Sequence, residues 1–272
     1  MAKYQFGFIG CGNMGGALVR AIAPRVGGES VLITDRLPAN TEALHNACHV
    51  LVAENATEVA RDAKYIFLGV KPQGMRELLG ELSEVLSERT EPYVLISMAA
   101  GITITTIRAM VGIENAPVVR ILPNTPASVG QGMTLYSCSD TVADADEKQI
   151  VWALESAGRV DALPENLIDA GCAVSGCGPA FVYMFMEAMA DGAVAAGLPR
   201  QKAMLYAAQT VLGAAQILLD SGKHPGELKD AVCSPGGSTI CGVNALEQGA
   251  FRGTVMDAVI AAYEKTKDLG KS

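Results

Sequence analysis

Three glycines, Gly10, Gly12 and Gly15, stand at the spacing G-x-G-x-x-G directly behind the apolar run Tyr4–Ile9 and ahead of a helical stretch at 13–23 that Pro24 is expected to stop. Glycine at these positions permits a tight turn and lets backbone approach a pyrophosphate. The amides of Cys11, Asn13 and Met14 lie where the helix start would supply donors and dipole to its charge. A glycine pattern alone is weak. Here the preceding strand, the following helix and a second strand, Val31–Thr34, make a dinucleotide site the stronger reading over a merely tight turn. About twenty residues past the last glycine comes Thr34-Asp35-Arg36, where such folds read the adenosine ribose. Asp35 suits the ribose hydroxyls of NADH and repels a 2′-phosphate, whereas Arg36 with Thr34 suits the phosphate of NADPH. Both cofactors stay open, and a solvated loop charge is an equal alternative for Arg36.

A second constellation lies far down the chain. The run 234–239, Ser-Pro-Gly-Gly-Ser-Thr, is dense in small residues, free amides and hydroxyls, and it precedes a helix expected to begin near Ile240. Such a turn is an anion nest suited to a carboxylate, with Ser234, Gly237, Ser238 and Thr239 as its candidate ligands. General acid–base groups are scarce. Of the three histidines, His45 and His49 fall in the second helical stretch and His224 in a loop, so each reads as structural.

These residues need a frame. Strand patterns at 50–53, 64–70, 93–99, 118–122, 133–136 and 160–163 alternate with helical stretches, which is the rhythm of a parallel, doubly wound sheet. Ligands on such sheets sit at the carboxyl ends of strands. That singles out Val70-Lys71-Pro72, Met98-Ala99-Ala100-Gly101 and Pro123-Asn124-Thr125-Pro126 as a rim, with Lys71 its one charge. The segment 140–157 reads as one more helix. From Glu165 onward nearly everything is helical, in stretches at 167–174, 179–196, 199–220 and 243–269. The stretch 179–196 is apolar on two faces. Phe181, Met184, Phe185, Ala188, Met189 and Ala193 form one, and Val182, Met186, Ala190 and Val194 the other, so it belongs in a bundle or a subunit interface. Glu187 and Asp191 near its middle would be costly in lipid and exclude a membrane span.

Composition sets the outer limits. With 272 residues, half of them hydrophobic, and a formal net charge of -8, the chain supports two domains and disfavours nucleic acid or anionic membranes as partners. Its seven cysteines form no CxxC pair beside histidines, so no metal site is expected and a reducing cytoplasm fits. The start carries no secretory pattern.

The runs GFIGCGNMGGAL, FLGVKPQ, SMAAGITI, ILPNTPASVGQG, AVSGCGPAFVYMFMEAMADGAVAAGL and HPGELKDAVCSPGGSTI resemble the pyrroline-5-carboxylate reductase family nearly end to end. The resemblance implies an α/β fold: a Rossmann-like dinucleotide-binding domain, residues 1–161, followed by an all-α dimerisation and substrate domain, residues 162–272. It implies NADPH- or NADH-dependent reduction of L-1-pyrroline-5-carboxylate to L-proline, the last step of proline biosynthesis. The implied assembly is a homodimer, with a ring of dimers left open. Family roles carry over to Cys11, Asn13, Met14, Asn55, Val70, Lys71, Pro72 and Ala100 at the cofactor and to Glu165, Ser238 and Thr239 at the substrate. Some members place Asn where this chain has Ala231, so a side-chain contact made there is absent. The chemistry agrees. A protonated imine is already an activated electrophile and needs no strong general acid, so Thr239 at the ring nitrogen and amides around 237–239 at the carboxylate suffice to position it. Two rivals remain. A hydroxyacid dehydrogenase-like enzyme would offer Lys after the turn at Cys177-Gly178-Pro179-Ala180, which has none. A non-catalytic dinucleotide-binding sensor would have no use for a carboxylate nest.

Overall fold

The computed structural model describes residues 2–269. Eight strands appear in chain order: β1 Tyr4–Ile9, β2 Val31–Thr34, β3 Leu51–Val52, β4 Ala63–Leu68, β5 Val94–Ser97, β6 Val118–Leu122, β7 Gly132–Cys138 and β8 Gly158–Ala162. Between them run α1 Asn13–Val26, α2 Pro38–Cys48, α3 Ala56–Asp62, α4 Pro72–Ser87, α5 Ile104–Val111 and α6 Asp144–Leu154. The strands form one sheet in the order β3-β2-β1-β4-β5-β6-β7-β8, so the order reverses at β1 and opens a crevice at the carboxyl ends of β1 and β4. Helices cover both faces, which is why the central strands are almost continuous runs of Val, Ile, Leu and Phe. One face packs Phe6, Phe8 and Phe67 under Leu18 and Ile22 of α1 and Ile150 of α6. The other packs Ile66, Leu68 and Leu95 under Leu79 and Leu82 of α4 and Ile107 of α5.

The all-parallel expectation fails at one pair. β7 runs antiparallel to β6, with Ile121 opposite Tyr136, although β8 returns parallel to β7. The nine residues 123–131 between them are too few for a crossover helix, which takes a dozen or more. Pro24 also does not stop α1: it lies in the last turn, and the helix ends two residues later at Val26, capped by Gly27, whose φ is +87°. The helix expected over 140–157 is shorter, Asp144–Leu154, followed by a short 3-10 turn.

The second half is helical: α7 Glu165–Ser175, α8 Gly178–Ala195, α9 Arg200–Ser221, α10 Pro225–Val232, α11 Ser238–Gln248 and α12 Phe251–Leu269. Two compact units result, one running through Cys177 and resuming at Ala262, the other Gly178–Ala261. Sequence character changes near residue 161, yet α7 stays with the sheet, because Ile168 packs with Leu122 and Leu135 of β6 and β7. Long helical patterns end where the backbone leaves right-handed space. Gly197 has φ +98°, Gly222 +62°, and Ala250, at the break between α11 and α12, +54°.

The second unit is short of core. Its buried hydrophobic residues are Ala190, Ala203 and Ala207, small side chains that let α8 and α9 approach closely. Met184 is 70% exposed, Leu205 63%, Met256 60% and Leu212 57%. Two stretches, Glu165–Ala195 and Arg200–Ser221, are long and apolar enough to cross a membrane by length and composition. So many large apolar side chains left exposed on a helical unit call for a protein partner, and adaptable methionines are suited to that contact. Light scattering should therefore show a species larger than one chain at micromolar concentration. Met184→Asp should shift the protein toward dissociated or aggregated chains, since an unpaired carboxylate in an apolar contact costs several kcal/mol. A monodisperse wild-type monomer would contradict this account.

Candidate active site

Gly10, the last residue before the glycine loop, has φ +95°, and a Cβ there would lie 2.8 Å from the carbonyl of Gly69 at the end of β4. A Cβ on Gly15 would come within 2.1 Å of the Gly10 carbonyl oxygen, and one on Gly69 within 2.2 Å of the same atom. These three glycines are close-packing residues. Gly12 is different: it N-caps α1 with φ -64° and ψ -160°, ordinary values for any residue, and a Cβ there would meet nothing within 4 Å. Open space over Gly12, next to the first-turn amides of Asn13 and Met14, is what a pyrophosphate approaching the backbone requires.

Cys11 is buried and its thiol donates to the Thr34 carbonyl at 3.6 Å. Burial, with the Asp35 carboxylate nearby, pushes that thiol up to about 12. Its backbone N–H donates to Asp35 Oδ2 at 2.6 Å, while Asp35 Oδ1 accepts from the Leu37 N–H at 2.8 Å and from Asn40 Nδ2 at 3.1 Å. Asp35 is thus a clasp between the glycine loop and the turn after β2. A carboxylate accepts about four hydrogen bonds, so capacity for one ribose hydroxyl is left. Arg36 is 82% exposed and faces Glu77 at 3.6 Å, a solvent-screened pair of little worth that a phosphate could displace.

The remaining expected cofactor residues line the same crest. Val70 follows Gly69, Lys71 is the exposed N-cap of α4, and Pro72 is its first residue, where a missing N–H costs nothing. Met98 is half-buried, and its N–H reaches the Leu68 carbonyl at 3.4 Å. Ala99 is only 2% exposed, its methyl in the core with Ile102 and Ile104, so backbone is what it has to offer a ligand; Ala100 is partly exposed. Asn55 caps α3, with Oδ1 accepting from the Glu58 N–H at 2.9 Å.

The turn 234–239 belongs to the second unit. Pro235 and Gly236 take its central positions, Gly236 with φ +68°, and the Gly237 N–H closes on the Ser234 carbonyl at 3.1 Å. α11 starts at Ser238 rather than near Ile240, and its N-cap is Gly237, which makes no side-chain cap. Thr239 therefore lies inside the first turn and does not cap the helix. The helix instead opens with unpaired amides and two exposed hydroxyls, Ser238 and Thr239. His224 caps α10, with Nδ1 accepting from the Gly226 N–H at 3.1 Å, and His45 Nδ1 meets the Val50 carbonyl at 2.7 Å, so both rings hold backbone. Glu165, expected at the substrate, accepts from the Ile104 N–H at 2.6 Å and faces the buried Arg120. Sequence reading passed over Arg120, and it placed Asn124 in the rim without a role for its side chain. A charge inside the apolar run Val118–Leu122 was the available signal for the first.

The fold order and the glycine crest define a dinucleotide-dependent oxidoreductase. A profile described as "NADP oxidoreductase coenzyme F420-dependent" matches residues 5–101, and one described as "Pyrroline-5-carboxylate reductase dimerisation" matches residues 165–269. Pyrroline-5-carboxylate reductase of Escherichia coli (strain K12) is 39% identical over 270 residues, 98% of this chain and 99% of its own length. Pyrroline-5-carboxylate reductase 3 of Danio rerio is 41% identical over 98% of this chain and 92% of its own. Among solved structures, the Coxiella burnetii pyrroline-5-carboxylate reductase superposes with a TM-score of 0.90 at 31% identity, covering 99% of this chain and 100% of that one. The Plasmodium falciparum pyrroline carboxylate reductase with NADP bound gives 0.87 at 32% identity, covering 99% of both chains. The chain belongs to the pyrroline-5-carboxylate reductase family.

Two tests follow from the crest. Gly12→Val should weaken cofactor binding by about tenfold or more while leaving the melting temperature near wild type, whereas Gly15→Ala should destabilise the fold itself, because its Cβ would meet backbone. Equal melting and equal affinity in both variants would refute the division of roles. Cys11, with a thiol held near 12, stays protonated at pH 8 and should resist alkylation in the folded protein. Rapid modification of Cys11 at that pH would contradict its burial.

Proposed function

We propose that the chain reduces L-1-pyrroline-5-carboxylate to L-proline, taking the hydride from NADPH or NADH. The observation that carries the reading is the presence, in one chain, of a dinucleotide crest and of a carboxylate nest at the head of α11. The bound nicotinamide supplies the hydride, and the other requirements fall to the chain. Gly10, Cys11, Gly12, Asn13 and Met14 hold the pyrophosphate by backbone. Asp35 and Arg36 meet the adenosine ribose, with Asn55 nearby, and Val70, Lys71, Pro72, Met98, Ala99 and Ala100 line the nicotinamide end. Ser234, Gly237 and Ser238 hold the substrate carboxylate through hydroxyls and first-turn amides. Thr239 hydrogen-bonds the ring nitrogen and turns the adjacent carbon toward the cofactor. The imine nitrogen carries its proton into the site, so the rate comes from positioning rather than acid catalysis.

In this reading residues 1–161 bind the dinucleotide and 162–272 bind substrate and a second copy of the chain, burying the apolar faces of α8 and α9 in a homodimer that can build a ring. The net charge of -8 supports small-molecule work rather than nucleic acid or anionic membrane as partner. Seven free cysteines support a cytoplasmic setting.

Thr239→Val tests the assignment. Because Gly237 rather than Thr239 caps α11, the substitution should leave stability nearly unchanged. It should lower kcat/KM for pyrroline-5-carboxylate by about tenfold or more, the value of one polar contact in the transition state, with NADPH affinity unaffected. A variant that reduces the imine at the wild-type rate would sink the role of Thr239.

A further inference from the structure

β6 holds a charge in a run whose other residues, Val118, Val119, Ile121 and Leu122, are all hydrocarbon. Arg120 is 1% exposed, in register with Ser97 of β5 on one side and Ser137 of β7 on the other. Its Nη2 donates to Asp169 Oδ1 at 2.5 Å, its Nη1 lies 3.7 Å from Glu165 Oε1, and its Nε has no partner. Glu165 and Asp169 are one turn apart and so share a face of α7. Glu165 Oε1 also accepts from the N–H of Ile104, the first residue of α5, at 2.6 Å. That N–H is one of the donors a helix start leaves without an internal partner. Four residues on three elements are thereby joined, and the joined point on α5 is where the segment 98–103 ends, directly after β5. Asn124, on the same side of the chain four residues beyond Arg120, makes a parallel tie. Its Oδ1 accepts from the Met133 N–H at 2.9 Å and its Nδ2 donates to the Ser175 carbonyl at 2.9 Å. α7 is therefore held near both ends.

A buried guanidinium with an unpaired Nε is a poor device for stability, since apolar side chains of similar volume usually do as well or better. It is a good device for fixing geometry, because the planar fork and two carboxylates allow few arrangements. We propose that Arg120 and Glu165 are positioning residues for hydride transfer: through the Ile104 N–H they set the backbone of 98–103, the rim on which the nicotinamide would lie. Glu165 then acts on the cofactor's support. This inference rests on the proposed reaction. A rim misplaced by about 1 Å costs up to roughly a hundredfold in rate without loss of fold.

Glu165→Ala removes the acceptor for Ile104 but leaves Arg120 paired with Asp169. Glu165→Gln keeps an oxygen for Ile104. Amide hydrogen exchange on the assembled, cofactor-free protein should show 98–104 exchanging about tenfold faster in Glu165→Ala and returning near wild type in Glu165→Gln. Steady-state kinetics should show kcat down about tenfold or more in Glu165→Ala, with KM for pyrroline-5-carboxylate within about threefold and most of kcat restored by Gln. Unchanged exchange in Glu165→Ala would overturn the proposal. So would a raised KM with kcat intact, the mark of a direct substrate contact. Absence of wild-type turnover would instead refute the reaction, and the exchange result would still report whether Glu165 holds the rim.

Discussion

The Gly10 carbonyl is a point where three stretches of backbone close in on one another, and the cofactor domain is arranged around it. A Cβ on Gly15 or Gly69 would lie 2.1 or 2.2 Å from that oxygen, far inside van der Waals contact, so α1 and the end of β4 reach β1 only as bare backbone. The crowding brings the carboxyl ends of β1 and β4 together at the point where strand order reverses. It also leaves Gly12 standing clear, with room for a pyrophosphate. Asp35 extends the same arrangement outward by holding the Cys11 N–H against the turn after β2.

Much of this was legible because each signal is local. The G-x-G-x-x-G run needs only its own strand and helix to be read, and Gly197 marks a helix stop by its own backbone limits. Corrections came where distant contacts or chain length decide. β7 turns antiparallel because residues 123–131 cannot span a crossover. Pro24 is tolerated because it falls in the final turn of α1, and α11 opens at Ser238 because Gly237 can cap by backbone alone. The tie from Arg120 to Asp169, Glu165 and Ile104 is invisible in sequence, since its members are far apart and nothing local distinguishes Glu165 from a solvated helix-start acid.

The helical unit poses the opposite problem from the sheet. Its hydrophobicity was plain in the composition of 179–196, yet the chain by itself buries little more than three alanines there. Folding and assembly are therefore one process for this half: α8 and α9 need a second surface before their larger side chains repay the entropy of ordering them. The family's dimerisation profile over residues 165–269 accords with that demand.

The central claim is that a site without a dedicated acid performs hydride transfer to a cyclic imine. Steady-state oxidation of NADPH and of NADH by purified protein with L-1-pyrroline-5-carboxylate, with proline quantified in the same samples, tests it most directly. The account predicts proline formed in equal amount to cofactor oxidised with at least one of the two. Tight cofactor binding with no proline formed from either would contradict it.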